Sequence, residues 1–211
     1  MGKLKIGAIA SGSGSNFEAI VQSCESGILK KKATVEVLIC NKARAFCMER
    51  AKNHNIPYFL IESDKFLHLP REEFDKKMID VLKKYECELI VLVGYMRFVS
   101  QHFIKTFKGN IMNIHPALLP SFKGMHAHEE ALAYGVKVSG VTVHFVDIHE
   151  DHGPIIIQHA VRVYDTDTKE TLASRILEWE HKAFPKAIEL FCDGRLYIDG
   201  RIVRVDGEVK L

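Results

Sequence analysis

Apolar positions along the chain alternate between short continuous runs and helical spacings. Leu4 to Ala10 is an apolar run that breaks into Ser11-Gly12-Ser13-Gly14-Ser15-Asn16, after which Phe17, Ile20 and Val21 recur at helical spacing. The pattern predicts strand, loop, helix. Thr34 to Cys40 predicts a second strand, Ala45 to His54 a helix and Pro57 to Ile61 a third strand, with only a few residues in each connection. Arg71 to Tyr85 carries Phe74, Met78, Val81 and Leu82 on one helical face, and Leu89 to Val93 is apolar throughout, as a strand covered on both sides requires. This rhythm predicts a parallel sheet clothed in helices.

A short helix at Gln101 to Phe107 precedes Ile111 to Ile114, an apolar strand that runs straight into His115-Pro116. Open α/β sheets bind ligands beyond the C-terminal ends of their strands, so this junction is a natural place for chemistry. Val138 to Val146 and Ile155 to Val163 alternate more, with Asp147 to Pro154 between them; they predict an antiparallel pair or a long loop on the far edge of the sheet. Thr168 to Phe191 predicts a long amphipathic helix capped by Thr168 or Asp167, with Pro185 as a kink or break, and a hairpin turning at Asp199-Gly200 closes the chain. The expected fold is α/β and Rossmann-like: a mostly parallel sheet, helices on both faces, an antiparallel C-terminal edge, in one domain of residues 1–211.

Composition narrows the function classes. With 47% hydrophobic and 27% charged residues the chain suits a compact core rather than disorder. The 29 basic and 27 acidic residues leave a net charge of +2, and no basic run exceeds Lys30 to Lys32, so a nucleic-acid partner is not expected. No apolar run approaches the roughly 18 residues of a membrane span and no secretory leader is visible, which predicts a cytoplasmic protein without a membrane partner. The five cysteines are odd in number and form no CxxC pair, so they read as reduced packing residues.

Candidate chemistry concentrates in two places. The Ser11 to Asn16 loop follows a strand and opens a helix, so its backbone N–H groups suit an anion such as a phosphate. It lacks both the Gly-Lys-Ser/Thr of a P-loop and the third glycine of a dinucleotide fingerprint; the alternative is a flexible turn capped by Ser15 or Asn16. Seven of the eleven histidines lie between His115 and His159. Asn113 and His115, two residues apart on a strand, point to one face, so an amide and an imidazole could converge on a single oxygen; the alternative is a strand end with Asn113 making a backbone turn and His115 partly buried. The loop Asp147-Ile148-His149-Glu150-Asp151-His152-Gly153-Pro154 offers a carboxylate that would raise the His115 pKa and favour its cation. Its His149, Asp151 and His152 are also metal-ligand types, yet no HExxH is present and no metal is expected. With no Gly-x-Ser-x-Gly elbow and no catalytic cysteine signature, direct attack by a substrate nucleophile in an acyl-type transfer is the reading that remains.

Asn113-Ile-His115-Pro116-Ala-Leu-Leu-Pro120 with a downstream Asp151-x-Gly-Pro resembles the folate-dependent formyltransferases, and the likeness covers nearly the whole chain. Ser11 to Asn16, Gly94-Tyr95-Met96-Arg97 and Glu180-His181 resemble the branch of that family acting in purine synthesis. The resemblance implies transfer of a formyl group from 10-formyltetrahydrofolate, as co-substrate, to the amine of glycinamide ribonucleotide. It implies Asn113, His115 and Asp151 as the catalytic trio; Gly14, Ser15, Asn16 and Glu180 as ribonucleotide contacts; and Arg71, Met96, Arg97, Phe98, Val99, Asn113 and Asp147, Ile148, His149, Glu150 and Asp151 as folate contacts. A monomer or homodimer fits it. Ala117 and His152 depart from residues frequent among relatives. The alternatives are a formyltetrahydrofolate deformylase, which uses water as the nucleophile, and a non-catalytic folate or phosphoribosyl binding module. The former family usually carries an extra N-terminal domain and the latter has no need of the trio.

Overall fold

The structure is a computed structural model, which describes residues 2–66 and 68–211. It divides into two compact units, Met1–Met112 and Asn113–Leu211.

In the first unit, β1 (Leu4–Ala10), β2 (Ala33–Cys40), β3 (Tyr58–Leu60) and β4 (Leu89–Leu92) form a parallel sheet in the order β3-β2-β1-β4. The connections are α1 (Ser15–Glu25), α2 (Cys47–Asn53) and α3 (Arg71–Lys84), the last preceded by a 3-10 turn at Ser63–Phe66. α1 buries Phe17, Ile20 and Val21, the stripe that its sequence spacing marks out, together with Cys24. Gly7 in β1 is a packing requirement, since a Cβ there would lie 2.3 Å from the Leu82 side chain of α3. α4 (Gln101–Thr106) starts where the Ser100 hydroxyl accepts from the Phe103 N–H at 3.2 Å. The third strand is shorter than its apolar run predicts: only residues 58–60 pair with β2, and their side chains are largely exposed at the edge.

β5 (Ile111–His115) leads into the second unit, where α5 (Ala127–Tyr134), β6 (Val138–Phe145), β7 (Ile155–Arg162), α6 (Lys169–Cys192), β8 (Leu196–Asp199) and β9 (Ile202–Val205) follow. β6 and β7 are antiparallel, β7 pairs β9 through Ile155 and Ile202, and β8 and β9 form the expected closing hairpin. The fold is thus the anticipated α/β class, with antiparallel C-terminal strands. The edge is not β6 and β7 themselves, because β9 and β8 lie outside them in the order β6-β7-β9-β8. α5 escapes the sequence pattern because only two small residues, Ala127 and Ala131, are buried on it.

α6 has a capping box: the Thr168 and Thr171 side chains each accept from the other's backbone N–H. Of the kink or break expected at Pro185, the break does not occur. The helix runs on to Cys192 and buries Ala183, Phe184, Ala187, Ile188 and Leu190 around the proline, packing that offsets the roughly 3 kcal/mol an interior proline costs. Cys40, Cys47 and Cys87 are free thiols.

Candidate active site

The strand alternation of β5 puts the side chains of Asn113 and His115 on one face, and the loop after β6 returns Asp151 to them. Asp151 Oδ2 lies 3.2 Å from His115 Nδ1 and accepts the Gly124 N–H at 2.9 Å. Its other oxygen, Oδ1, accepts from Asn113 Nδ2 at 3.3 Å. Asp151 itself has φ 42°, a left-handed conformation uncommon for a residue with a side chain. The turn is closed by Gly153, where a Cβ would stand 1.8 Å from the Phe145 carbonyl oxygen, so that only glycine fits.

His115 is 3% exposed, with acceptors at both ring nitrogens: Asp151 at Nδ1 and the Phe122 carbonyl 2.6 Å from Nε2. The carbonyl can only accept, so Nε2 carries a proton. Burial pushes the imidazole below its ordinary value near 6.5, and Asp151 and the Phe122 carbonyl oppose this only in part. Asp151 thus acts on the ring in the expected direction, and burial acts against it. Burial likewise raises the Asp151 carboxyl, yet His144, His115 and the Gly124 N–H together bring it below the ordinary carboxylate value, so it is ionised.

His144 is the member of this cluster that sequence reasoning missed. It is 2% exposed at the end of β6; Nδ1 donates to the Phe145 carbonyl at 2.8 Å, which leaves Nε2 to accept from Asn113 Nδ2 at 3.3 Å. Its signal was a polar residue at an inward position of an otherwise apolar strand. Phe122 and Gly124 were missed too, because they contribute backbone atoms from an irregular segment with no pattern.

The remaining expected residues fall in both units. In the second, Asp147 accepts the His149 N–H at 2.8 Å and pairs with His152 at 2.7 Å; burial raises its pKa, but these partners bring it below the ordinary value. Ile148, His149 and Glu150 are exposed at the loop tip, and Glu180 is buried on α6. His152 is also gripped by Arg201, whose Nη1 donates to its carbonyl at 2.5 Å.

In the first unit, Gly14 adopts φ 71° as the N-cap of α1 with no side-chain cap, so the turn is not capped by Ser15 or Asn16. Ser11, which opens the turn, accepts the Met96 N–H on its hydroxyl at 2.9 Å, and its own N–H donates to the Gly94 carbonyl at 3.1 Å. The turn and the Met96–Val99 segment are thereby stitched together. Met96 and Phe98 are exposed, Val99 is buried, and the guanidinium groups of Arg71 and Arg97 lie 5.8 and 5.0 Å over Phe98 and Phe74. Asp75, a fully buried carboxylate not singled out by the sequence, accepts the Ser100 N–H at 2.5 Å and so anchors the end of this segment.

The family described as formyl transferase matches residues 4–188. Phosphoribosylglycinamide formyltransferase of Escherichia coli is 36% identical over 205 residues, 97% of this chain and 95% of that protein. The trifunctional purine biosynthetic protein adenosine-3 of Chironomus tentans is 39% identical over 94% of this chain, which spans only 14% of that much longer relative. Among solved structures, glycinamide ribonucleotide transformylase 1 from Symbiobacterium toebii superposes with a TM-score of 0.92 at 42% identity, covering 96% of this chain and 94% of that one.

Proposed function

The chain belongs to the formyl transferase family, and on that premise we propose that it transfers the formyl group of 10-formyltetrahydrofolate to the amine of glycinamide ribonucleotide in purine biosynthesis, as a single formyltransferase domain. The observation that carries this reading is the buried His115–Asp151 pair, 3.2 Å apart, with the Asn113 amide on the same carboxylate.

The substrate amine attacks the formyl carbon, and the carbonyl electrons move to oxygen. Both Asn113 contacts are long, 3.3 Å, so one N–H is readily exchanged for the new oxyanion. The ionised Asp151 relays the proton that the attacking nitrogen loses, through water if needed. His115 takes up that proton as negative charge develops, forming an imidazolium whose two N–H groups face the Asp151 carboxylate and the Phe122 carbonyl. It then returns the proton to the folate nitrogen as the carbon–nitrogen bond breaks, giving formylated ribonucleotide and tetrahydrofolate. Gly14, Ser15 and Asn16 hold the ribonucleotide phosphate and Glu180 its ribose. Met96, Arg97, Phe98 and Val99, with residues 147–151, hold the folate ring, and Arg71 its acidic tail.

The test is consumption of 10-formyl folate with and without glycinamide ribonucleotide. Turnover that requires the amine supports transfer. Equal turnover without it identifies a hydrolase, and no turnover in either case leaves only a binding module.

A further inference from the structure

The turn after β1 is held from inside the first unit at three consecutive carbonyls. Gly12 accepts from the Cys47 N–H at 3.1 Å, Ser13 from Arg50 Nε at 2.9 Å, and Gly14 from the Glu18 N–H at 2.9 Å. A peptide carbonyl turned toward a bound anion repels it, whereas the first amides of a helix have no intrahelical acceptor and attract it. Committing the carbonyls elsewhere prepares the turn for a phosphate. Two of the three ties are backbone contacts; the Ser13 tie alone depends on a side chain.

Arg50 is not arranged as a phosphate ligand. Its Nη1 donates to Glu18 Oε2 at 3.1 Å, and its guanidinium lies 5.0 Å over the Phe46 ring. Glu18 is fixed in turn by Gln22 and by His54 Nε2, both at 2.9 Å, and His54 Nδ1 reaches Glu25 at 2.8 Å. The charge of Arg50 is thus balanced within the protein while Nε stays aimed at the turn. Gly14 is wedged against the same helix, since a Cβ on it would lie 2.6 Å from the Cys47 Cβ.

We propose that Arg50, aimed by Glu18, is a positioning residue for the substrate phosphate: it draws the Ser13 carbonyl away from the anion and locks the turn against α2. This rests on the reading of the turn as the ribonucleotide phosphate site. Loss of the tether raises the ground-state cost of binding the phosphate and leaves the formyl-transfer step alone.

The experiment uses the full chain with Arg50→Met, Arg50→Lys, Glu18→Gln and Gly14→Val. It measures KM for each substrate, kcat, and inhibition by inorganic phosphate competing with the ribonucleotide. Arg50→Met should raise the ribonucleotide KM and the phosphate inhibition constant together by about tenfold, the loss of one charge-assisted hydrogen bond. The folate KM and kcat should stay within about twofold. Arg50→Lys, which keeps the charge but not the Nε and Nη1 fork, and Glu18→Gln should each show a smaller rise in the same two constants. If Arg50→Met fails to fold, these two milder variants decide by the same criterion. An unchanged ribonucleotide KM, or equal damage to both KM values and kcat, overturns the proposal. Gly14→Val separates the two readings: if it alone raises the ribonucleotide KM, Arg50 has no positioning role and the phosphate site stands. If neither variant moves that KM, the phosphate-site reading falls and the proposal with it.

Discussion

His115 carries opposed demands on one ring: two acceptors ask for its protonation and burial resists it, with burial the larger effect. This fixes the sign of two pH dependences. Below about 6.5 the unfolded chain binds a proton that the folded ring resists, so the stability from this group is present above that pH and lost as pH falls through the window beneath it. Asp151, held below 3.8, acts likewise at lower pH: its contribution is present above that value and lost as pH falls through its folded pKa. Urea midpoints at pH 7 and pH 5 should therefore fall further for the parent protein than for His115→Gln. The rate, too, should show an acid limb with an apparent pKa below 6.5, and a limb above 6.5 would mean that the cation is the resting form. Removing the ring in His115→Ala should lower kcat about 100-fold to 1000-fold, within the usual range for a lost general acid–base group, with the ribonucleotide KM little changed. Asn113 and His115 were legible as a pair because strand alternation alone puts them on one face. The balance between burial and the two acceptors was not, because desolvation depends on what surrounds the ring.

Among the elements, α6 shows how local signals and packing divide the work. Thr168 was readable as a cap from its position before an apolar stripe, and the structure adds the reciprocal Thr171 bond. Thr168→Ala should destabilise the protein by about 1 kcal/mol, seen as a fall of roughly 2–4 °C in Tm. An unchanged Tm would mean that the bidentate Arg175–Asp167 pair, at 2.7 and 2.8 Å, holds the helix start without the cap. At Pro185 the sequence left kink and break open, because the local penalty is visible in sequence and the compensating burial of Phe184 and Ile188 is not. α5 was invisible for the opposite reason: two buried alanines make too faint a stripe to count.

On the scale of the whole molecule, the closing hairpin reaches back to a loop some fifty residues earlier. Arg201 on its turn donates to the His152 carbonyl, and His152 pairs with Asp147, so residues at the end of the chain help to shape the 147–152 loop. Arg201→Ala should raise the folate KM a few-fold with the ribonucleotide KM unchanged. Steady-state kinetics with each substrate varied in turn would check this, and equal shifts in both constants would make the hairpin a general support. His152 in the sequence is a departure from frequent residues; in the structure it is the link between hairpin and loop.

What the sequence by itself determined is whatever depends on period and adjacency: the βα rhythm, the strand-to-helix turn at Gly14, the shared face of Asn113 and His115, and the family resemblance that these motifs carry. Tertiary structure alone decided which partners distant segments supply: His144 behind Asn113, the Phe122 carbonyl on His115, Asp75 under Ser100, and Arg50 on Ser13. The division has a physical cause. Hydrophobic period is written into neighbouring residues, whereas desolvation and hydrogen-bond direction are set by atoms that only folding brings within 3 Å or so of one another.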